Sequence, residues 1–269
     1  MRLNTLAALA AAVTLATAWA GDDPYLWLED IDGEKSLDWV HLENKLTAEK
    51  LATKPIFEQL HAQAKAALNA NSRLPDVYQE EGWLYNTWKD ENHPRGLFRR
   101  TTREEFAKVK PEWEVVIDVD ALNAAENKQW AFKGMDCLPK DPEHCMVRLS
   151  PGGGDAVVIR EFNSVTKSFV EDGFFLPLSK GGVAWIDADT LYVSTDFGEG
   201  TMTDSGYPRI AKRWKRGTPL ASAETVHEGK TTSIWTYAMR MRSDGPDLDL
   251  VREGLTFWTT QWYQLANDS

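Results

Sequence analysis

Gly182-Val183-Ala184-Trp185-Ile186-Asp187-Ala188-Asp189-Thr190-Leu191-Tyr192-Val193-Ser194-Thr195 holds two runs of aromatic and β-branched residues around a short acidic break. Such side chains favour the pleated surface of a strand, and Asp in a short break hydrogen-bonds nearby backbone into a turn. The stretch therefore predicts a hairpin, with strands at Gly182–Ile186 and Thr190–Thr195. The same alternation of strand-like runs with Gly, Pro, Asp and Asn clusters continues through everything beyond Arg73. Before the hairpin it predicts strands at Trp83–Trp88, Gly96–Thr101, Glu114–Val119, Gln129–Lys133, Cys145–Leu149, Ala156–Phe162 and Phe174–Leu178. After it come Arg209–Trp214, Glu224–His227, Ser233–Met239 and Thr256–Leu265. A series of strands without alternating helices reads as mainly β.

These strands fall into groups of about four with a period near fifty residues, the range of β-propeller blades. Trp83, Trp130, Trp185 and Trp235 mark the period loosely, at separations of 47, 55 and 50 residues. By this count the region holds about three blades and part of a fourth. Asn267-Asp268-Ser269 reads as the start of a turn whose returning strand is missing. Either the fourth blade borrows a strand from the N-terminus or the propeller is truncated.

Upstream of Arg73 the periodicity is different. From Glu34 to Leu51, residues Leu37, Trp39, Val40, Leu42 and Leu46 return to one broad face. From Pro55 to Asn69, residues Ile56, Leu60, Ala64 and Leu68 form a second stripe, with Pro55 suited to a first helical turn. Asn69-Ala70-Asn71-Ser72 ends the helical pattern. Before the helices, Arg2 and the apolar run Leu6–Ala18 lead to Ala18-Trp19-Ala20, the small-x-small pattern of a signal-peptide cleavage site. The run is shorter than the roughly 20 residues a spanning helix needs. Cleavage between Ala20 and Gly21 is expected, leaving no membrane segment. The expected organisation is a signal peptide at 1–20, a helical segment at 21–72 and a partial propeller at 73–269.

The formal charge of −11 excludes a nucleic-acid partner, which needs a concentrated positive surface. The basic cluster Lys212, Arg213, Lys215 and Arg216 reads as a solvated strand edge. Export to an oxidising compartment favours a disulfide between the chain's two cysteines, Cys137 and Cys145, which flank a Pro-rich turn. His144 adjoins Cys145, but the further ligands of a zinc site are missing, so no metal and no cofactor is expected. Gly-x-Ser-x-Gly does not occur; Ser205 lacks the preceding glycine, and Gly152-Gly153-Gly154 lacks the lysine of a phosphate loop. His41, His61, His93, His144 and His227 are scattered. The carboxylates Asp187, Asp189, Asp196, Glu199 and Asp204 read as turn chemistry rather than a glycosidase pair. No catalytic residue is assigned.

The segment Asp23-Pro24-Tyr25-Leu26-Trp27-Leu28-Glu29-Asp30, with Trp39-Val40 and Glu43-Asn44 after it, resembles the N-terminal region of the prolyl oligopeptidase family of serine peptidases. The resemblance continues through Arg95-Gly96-Leu97-Phe98-Arg99-Arg100-Thr101-Thr102, Pro111–Asp118 and Arg160-Glu161-Phe162. It is most specific at Thr195-Asp196-Phe197-Gly198, Asp204–Arg209 and Trp214-Lys215-Arg216-Gly217. It covers essentially the whole mature chain and resembles an exported bacterial branch. It implies a seven-bladed propeller over a C-terminal α/β-hydrolase domain, against which the helical segment packs. It also implies that the catalytic serine, aspartate and histidine follow the propeller.

The expectation is thus a periplasmic or secreted propeller region, truncated and inactive alone. The parent enzyme is expected to cleave short peptides after proline through an acyl-enzyme. The alternative is a non-catalytic periplasmic propeller that binds a peptide or protein. Expression with export should yield a mature chain beginning at Gly21, which intact mass spectrometry of the exported protein checks; retention of Met1 or Arg2 would refute cleavage.

Overall fold

The computed structural model describes residues 23–70 and 72–265. The expected cleavage site at Ala20 and Gly21 and the terminal Asn267-Asp268-Ser269 lie outside them. The chain divides into two compact units, 1–67 and 68–269.

In the first unit a 3-10 turn at Leu26–Glu29 precedes α1 (Glu34–Thr47), a π-helical turn at Ala48–Ala52 and α2 (Pro55–Leu68), which runs into the second unit. Both helices lie where the apolar periodicity puts them, and Pro55 opens α2. Ser36 is the buried residue of α1, and its hydroxyl donates to the Trp27 carbonyl at 2.6 Å. Trp39 meets Trp27 edge-on at 6.4 Å, and the Lys35 ammonium sits 4.1 Å from the Trp27 ring centre. The stripe that predicted the helices stays exposed: Leu37, Leu42, Leu46, Ile56 and Leu60 are all more than two-fifths accessible.

The second unit is mainly β, built from antiparallel sheets that follow chain order. The first sheet is β1 (Tyr78–Glu80), β2 (Trp83–Trp88), β3 (Leu97–Thr102) and β4 (Glu114–Asp118). The second comprises β5 (Trp130–Leu138), β6 (Asp141–Pro151), β7 (Val157–Asn163), β8 (Ser168–Phe169) and β9 (Phe175–Ser179). Its outer strand is split: β8 pairs with one end of β7 and β9 with the other. The third is β10 (Gly182–Asp187), β11 (Thr190–Ser194), β12 (Ile210–Lys215) and β13 (Glu224–Glu228), opening with the predicted hairpin. The fourth has β14 (Trp235–Met241), β15 (Leu248–Gly254) and β16 (Thr260–Gln264). This is the expected partial propeller.

Besides the short strands β1 and β8, which the sequence reading did not include, three features differ from the sequence expectation. First, two short helices leave the first sheet, α3 (Arg103–Phe106) and α4 (Val119–Glu126). Each had a cap signal: the Thr102 side chain accepts from the Glu105 amide and the Asp118 side chain from the Ala121 amide. Second, β15 was missed, because Asp249, Arg252 and Glu253 give it the charge of a surface loop. Asp249 and Glu253 are in fact buried, with partners described below. Third, β12 is flanked by β11 and β13, so the cluster from Lys212 to Arg216 is not a strand edge. Lys212 lies over the Phe197 ring, and Arg216 pairs with Glu161 of the neighbouring sheet. The tryptophan period tracks the sheets without marking one position. Trp130, Trp185 and Trp235 lie in first strands, whereas Trp83 lies in a second strand.

Three cores lie between successive sheets. Tyr85, Phe98 and Ile117 of the first sheet meet Trp130, Val147, Leu149 and Phe162 of the second. Met146, Ile159 and Leu176 on the second sheet's other face meet Trp185, Leu191, Val193 and Trp214 of the third. Ile186, Tyr192 and Ala211 meet Ala238 and Val251 of the fourth. Leu191 is fully enclosed in the middle core. Its replacement in Leu191→Ala should cost about 2–5 kcal/mol, the range for a buried leucine that leaves a cavity. Urea unfolding followed by tryptophan fluorescence measures this; a loss below about 1 kcal/mol would contradict the packing described.

Candidate functional site

A cluster of chemistry-bearing groups surrounds Glu253. Register places Glu253 on β15 opposite Thr236 of β14 and Gln261 of β16, on the face that meets the third sheet. Its carboxylate accepts from the Ser233 hydroxyl at 2.5 Å, the Lys230 amide at 3.1 Å and the Tyr263 hydroxyl at 3.1 Å. His227 Nε2 from β13 lies 3.4 Å away, and its ring packs 4.5 Å from that of Tyr263. Burial pushes the Glu253 carboxyl up, but the Ser233, Lys230, Tyr263 and His227 hydrogen bonds outweigh it and hold the group below the usual glutamate range.

Serine, histidine and an acid are therefore brought together, but in the wrong connectivity for acyl transfer. A nucleophilic hydroxyl must give its proton to an imidazole that the acid orients. Here the hydroxyl is bonded to the acid, and both Ser233 and Glu253 are buried below 4% exposure. The cluster ties the outer strand of the third sheet to the fourth. Among the described residues, no hydrogen bond joins a serine hydroxyl to a histidine.

Two further buried acids also bridge sheets or strands. Glu161 of β7 receives Arg216 bidentately at 2.7 and 2.8 Å and the Phe174 amide at 2.8 Å. The Glu161 hydrogen bond raises the Arg216 guanidinium above its ordinary value. Asp249 receives Arg240 through two bonds of 2.7 Å, and this pairing lowers its carboxyl.

The residues singled out in the sequence are placed as follows. Cys137 and Cys145 face each other across β5 and β6 and form the disulfide. The turn between them is tighter than their spacing indicated. It needs only Pro139 and Lys140, with Lys140 at φ 65°, and Asp141 already belongs to β6. Ser205 lies in a turn, its hydroxyl 3.4 Å from the Ile234 carbonyl. Asp187 accepts from the Asp189 amide and Asp196 from the Gly198 amide, each at turn-capping distance, while Asp189 pairs with Arg216. Asp204 and Glu199 join no carboxylate pair. His93 and His144 each contact a nearby aspartate at 3.0 Å. Among the described residues, no group of three or more His, Cys, Asp or Glu is placed to hold a metal ion, and no helix is long and apolar enough to cross a membrane. One cluster escaped the sequence reading, a cleft on the first sheet where the Arg99 guanidinium lies 4.4 Å from the Trp88 ring centre and 4.3 Å from that of Trp113. An arginine on β3, a tryptophan on β2 and another just before β4 leave no local pattern in the sequence.

The model of the "prolyl oligopeptidase, N-terminal beta-propeller domain" matches residues 17–249. An uncharacterized peptidase of Sinorhizobium fredii is 38% identical over 242 residues, covering 89% of this chain and 33% of its own length. The solved structure of a post-proline cleaving enzyme from Rickettsia typhi is 27% identical with a TM-score of 0.84, over 90% of this chain and 37% of that one. Oligopeptidase B from Leishmania major, at 15% identity and TM-score 0.61, shares the fold over 92% of this chain and 33% of its own. The chain thus spans about a third of the length of these relatives.

The depressed carboxyl of Glu253 gives a pH signature. Its contribution to stability is fully present above the ordinary glutamate pKa of about 4.3 and is lost as pH falls through the lower folded value. Glu253→Gln should therefore cost on the order of 2 kcal/mol at pH 7, and the difference from the parent chain should shrink below pH 4. Thermal unfolding of both proteins from pH 7 to pH 2.5 measures it; a gap that stays constant with pH would exclude the ionised carboxylate as its source.

Proposed function

Because this chain belongs to the prolyl oligopeptidase family through its N-terminal propeller region, we propose that it is the propeller part of a serine peptidase that cleaves short peptides after proline. The observation that carries the reading is the match to the Rickettsia typhi post-proline cleaving enzyme, with 90% of this chain superposing on about a third of that enzyme. In this reading the propeller restricts access to the active site by size. The acyl-enzyme chemistry belongs to an α/β-hydrolase domain outside these 269 residues.

Two structural features support the proposal. The apolar stripes of α1 and α2 are exposed in a chain of otherwise ordinary composition, as expected of helices that pack on a further domain. The Ser233, Glu253 and His227 cluster has the residue types of a hydrolase without a hydroxyl bonded to an imidazole. Export to the periplasm is part of the same proposal, and the Cys137–Cys145 disulfide suits an oxidising compartment.

The purified 269-residue chain should release no chromophore from a succinyl-Ala-Ala-Pro anilide. The coding sequence read onward should specify a Gly-x-Ser-x-Gly segment, and the protein that includes it should cleave the same substrate until treated with a serine-directed phosphonate. Phosphonate-sensitive cleavage by the 269-residue chain would overturn the assignment of the chemistry elsewhere. An inactive longer protein that binds peptides would favour a non-catalytic binding module.

A further inference from the structure

The seams between successive sheets are not built alike. Tyr85, Phe98, Trp130 and Phe162 pack the first, and Phe174, Trp185 and Trp214 pack the second. The third seam, between the third and fourth sheets, has a core of Ile186, Tyr192, Ala211, Ala238 and Val251. Two of these five are alanines, whose methyl groups remove little apolar area from water, and Tyr192 is the one aromatic ring. Polar groups take up much of the rest. Residues two apart on a strand share a face, so Thr236 lies beside Ala238, and Asp249 and Glu253 flank Val251, all of them buried. Ser194 likewise shares the face of Tyr192. Among the described residues, the buried hydroxyls of Ser194 and Thr236 have no hydrogen-bond partner. Each has lost its hydration without replacement, which disfavours the closed seam.

The hydrogen bonds that cross this seam lie at its margins. At one end Arg242 donates to the carbonyls of Ile186 at 2.8 Å and Trp185 at 3.2 Å. At the other end the Thr236 amide donates to the Pro208 carbonyl at 2.8 Å, and the Thr203 hydroxyl to the Ile234 carbonyl at 3.2 Å. On the outer strands His227 meets Glu253 at 3.4 Å. The two sheets already stand apart beside Ile186, in a cleft of about 480 Å³. Asp187, Thr190 and Lys215 line it from the third sheet, and Arg240, Asp247 and Asp249 from the side of the fourth.

We infer that this seam is the joint at which the stack of sheets yields: the fourth sheet parts from the third while the first three stay packed together. Segments with few buried apolar contacts open locally before the whole chain unfolds. Parting the first or second seam would expose phenylalanine and tryptophan to water, whereas the third exposes alanines, hydroxyls and charged groups that hydrate readily. The opening is a slot flanked by Arg240, Asp249, His227 and Glu253 that begins at the cleft beside Ile186. The inference does not rest on the peptidase reading.

Thiol labelling of the 269-residue chain tests this directly, because both native cysteines are held in the disulfide. Val147→Cys, Val193→Cys and Val251→Cys place the same small change at buried positions of the first, second and third seams. With a maleimide reagent at pH 7, Val251→Cys should be labelled roughly tenfold faster than either of the others. Val147→Cys is the control for fraying, since the first sheet also ends the stack. Arg242→Gln removes the bonds to Ile186 and Trp185 and should speed labelling of Val251→Cys severalfold while leaving Val147→Cys unchanged. Should Val251→Cys fail to fold, Ala238→Cys reports on the same seam, and the comparison among seams stands without the Arg242 variant. Equal rates at the three seams would mean that only global unfolding exposes them, and would overturn the inference. Labelling of Val147→Cys as fast as that of Val251→Cys, with Val193→Cys slow, would reduce the effect to fraying at the ends of the stack and overturn it as well.

Discussion

Met146 and Val147 are consecutive residues of one strand, both fully buried, and they enter different cores. Side chains alternate between the faces of a sheet, so a strand with two buried neighbours in sequence belongs to a sheet covered on both sides. The same holds for Leu191, Tyr192 and Val193, which alternate between the second and third cores. Most antiparallel sheets leave one face to water. Here each inner sheet is a layer between two others, and burying an aliphatic or aromatic side chain contributes about 1.5–3 kcal/mol. Successive sheets therefore have to stack, and the stack follows the chain because each connection reaches only the next sheet.

Apolar contact alone does not fix how one sheet sits on the next, because it has no direction. Buried ion pairs and hydrogen bonds do. Glu161 reaches from the second sheet to Arg216 of the third, and Glu253 reaches from the fourth to His227 of the third. Trp185 adds a neutral bond of 3.1 Å to the Asp136 carbonyl across the second and third sheets. A buried pair of this kind is weak support for net stability, but removing one partner leaves a charge without compensation at a cost of about 3–5 kcal/mol. The pairs act as positional constraints between layers whose energy comes from packing.

The same physics separates scaffold from site. The inner faces are committed to packing, and their acids and arginines are committed to one another. The groups left over lie on surfaces that no described sheet covers. The exposed stripes of α1 and α2 and the cleft around Arg99 are such surfaces, one apolar and the other cationic and aromatic. Membership of the prolyl oligopeptidase family agrees with this division.

By itself the sequence determined whatever rests on neighbours along the chain. The hairpin around Asp187-Ala188-Asp189, the two N-terminal helices, the fifty-residue period and the pairing of Cys137 with Cys145 were all legible there. Side-chain periodicity and turn chemistry act over a few residues, and the two cysteines had no competitors. Only the tertiary structure showed that β15 is a strand, that Glu253, Asp249 and Glu161 are buried, and that Ser233 bonds to an acid instead of a histidine. It alone brought Arg99 into contact with both Trp88 and Trp113. A charged residue reads as surface until its partner is known, and Arg216 lies 55 residues from Glu161. Pairing over that distance exists only after the sheets have stacked.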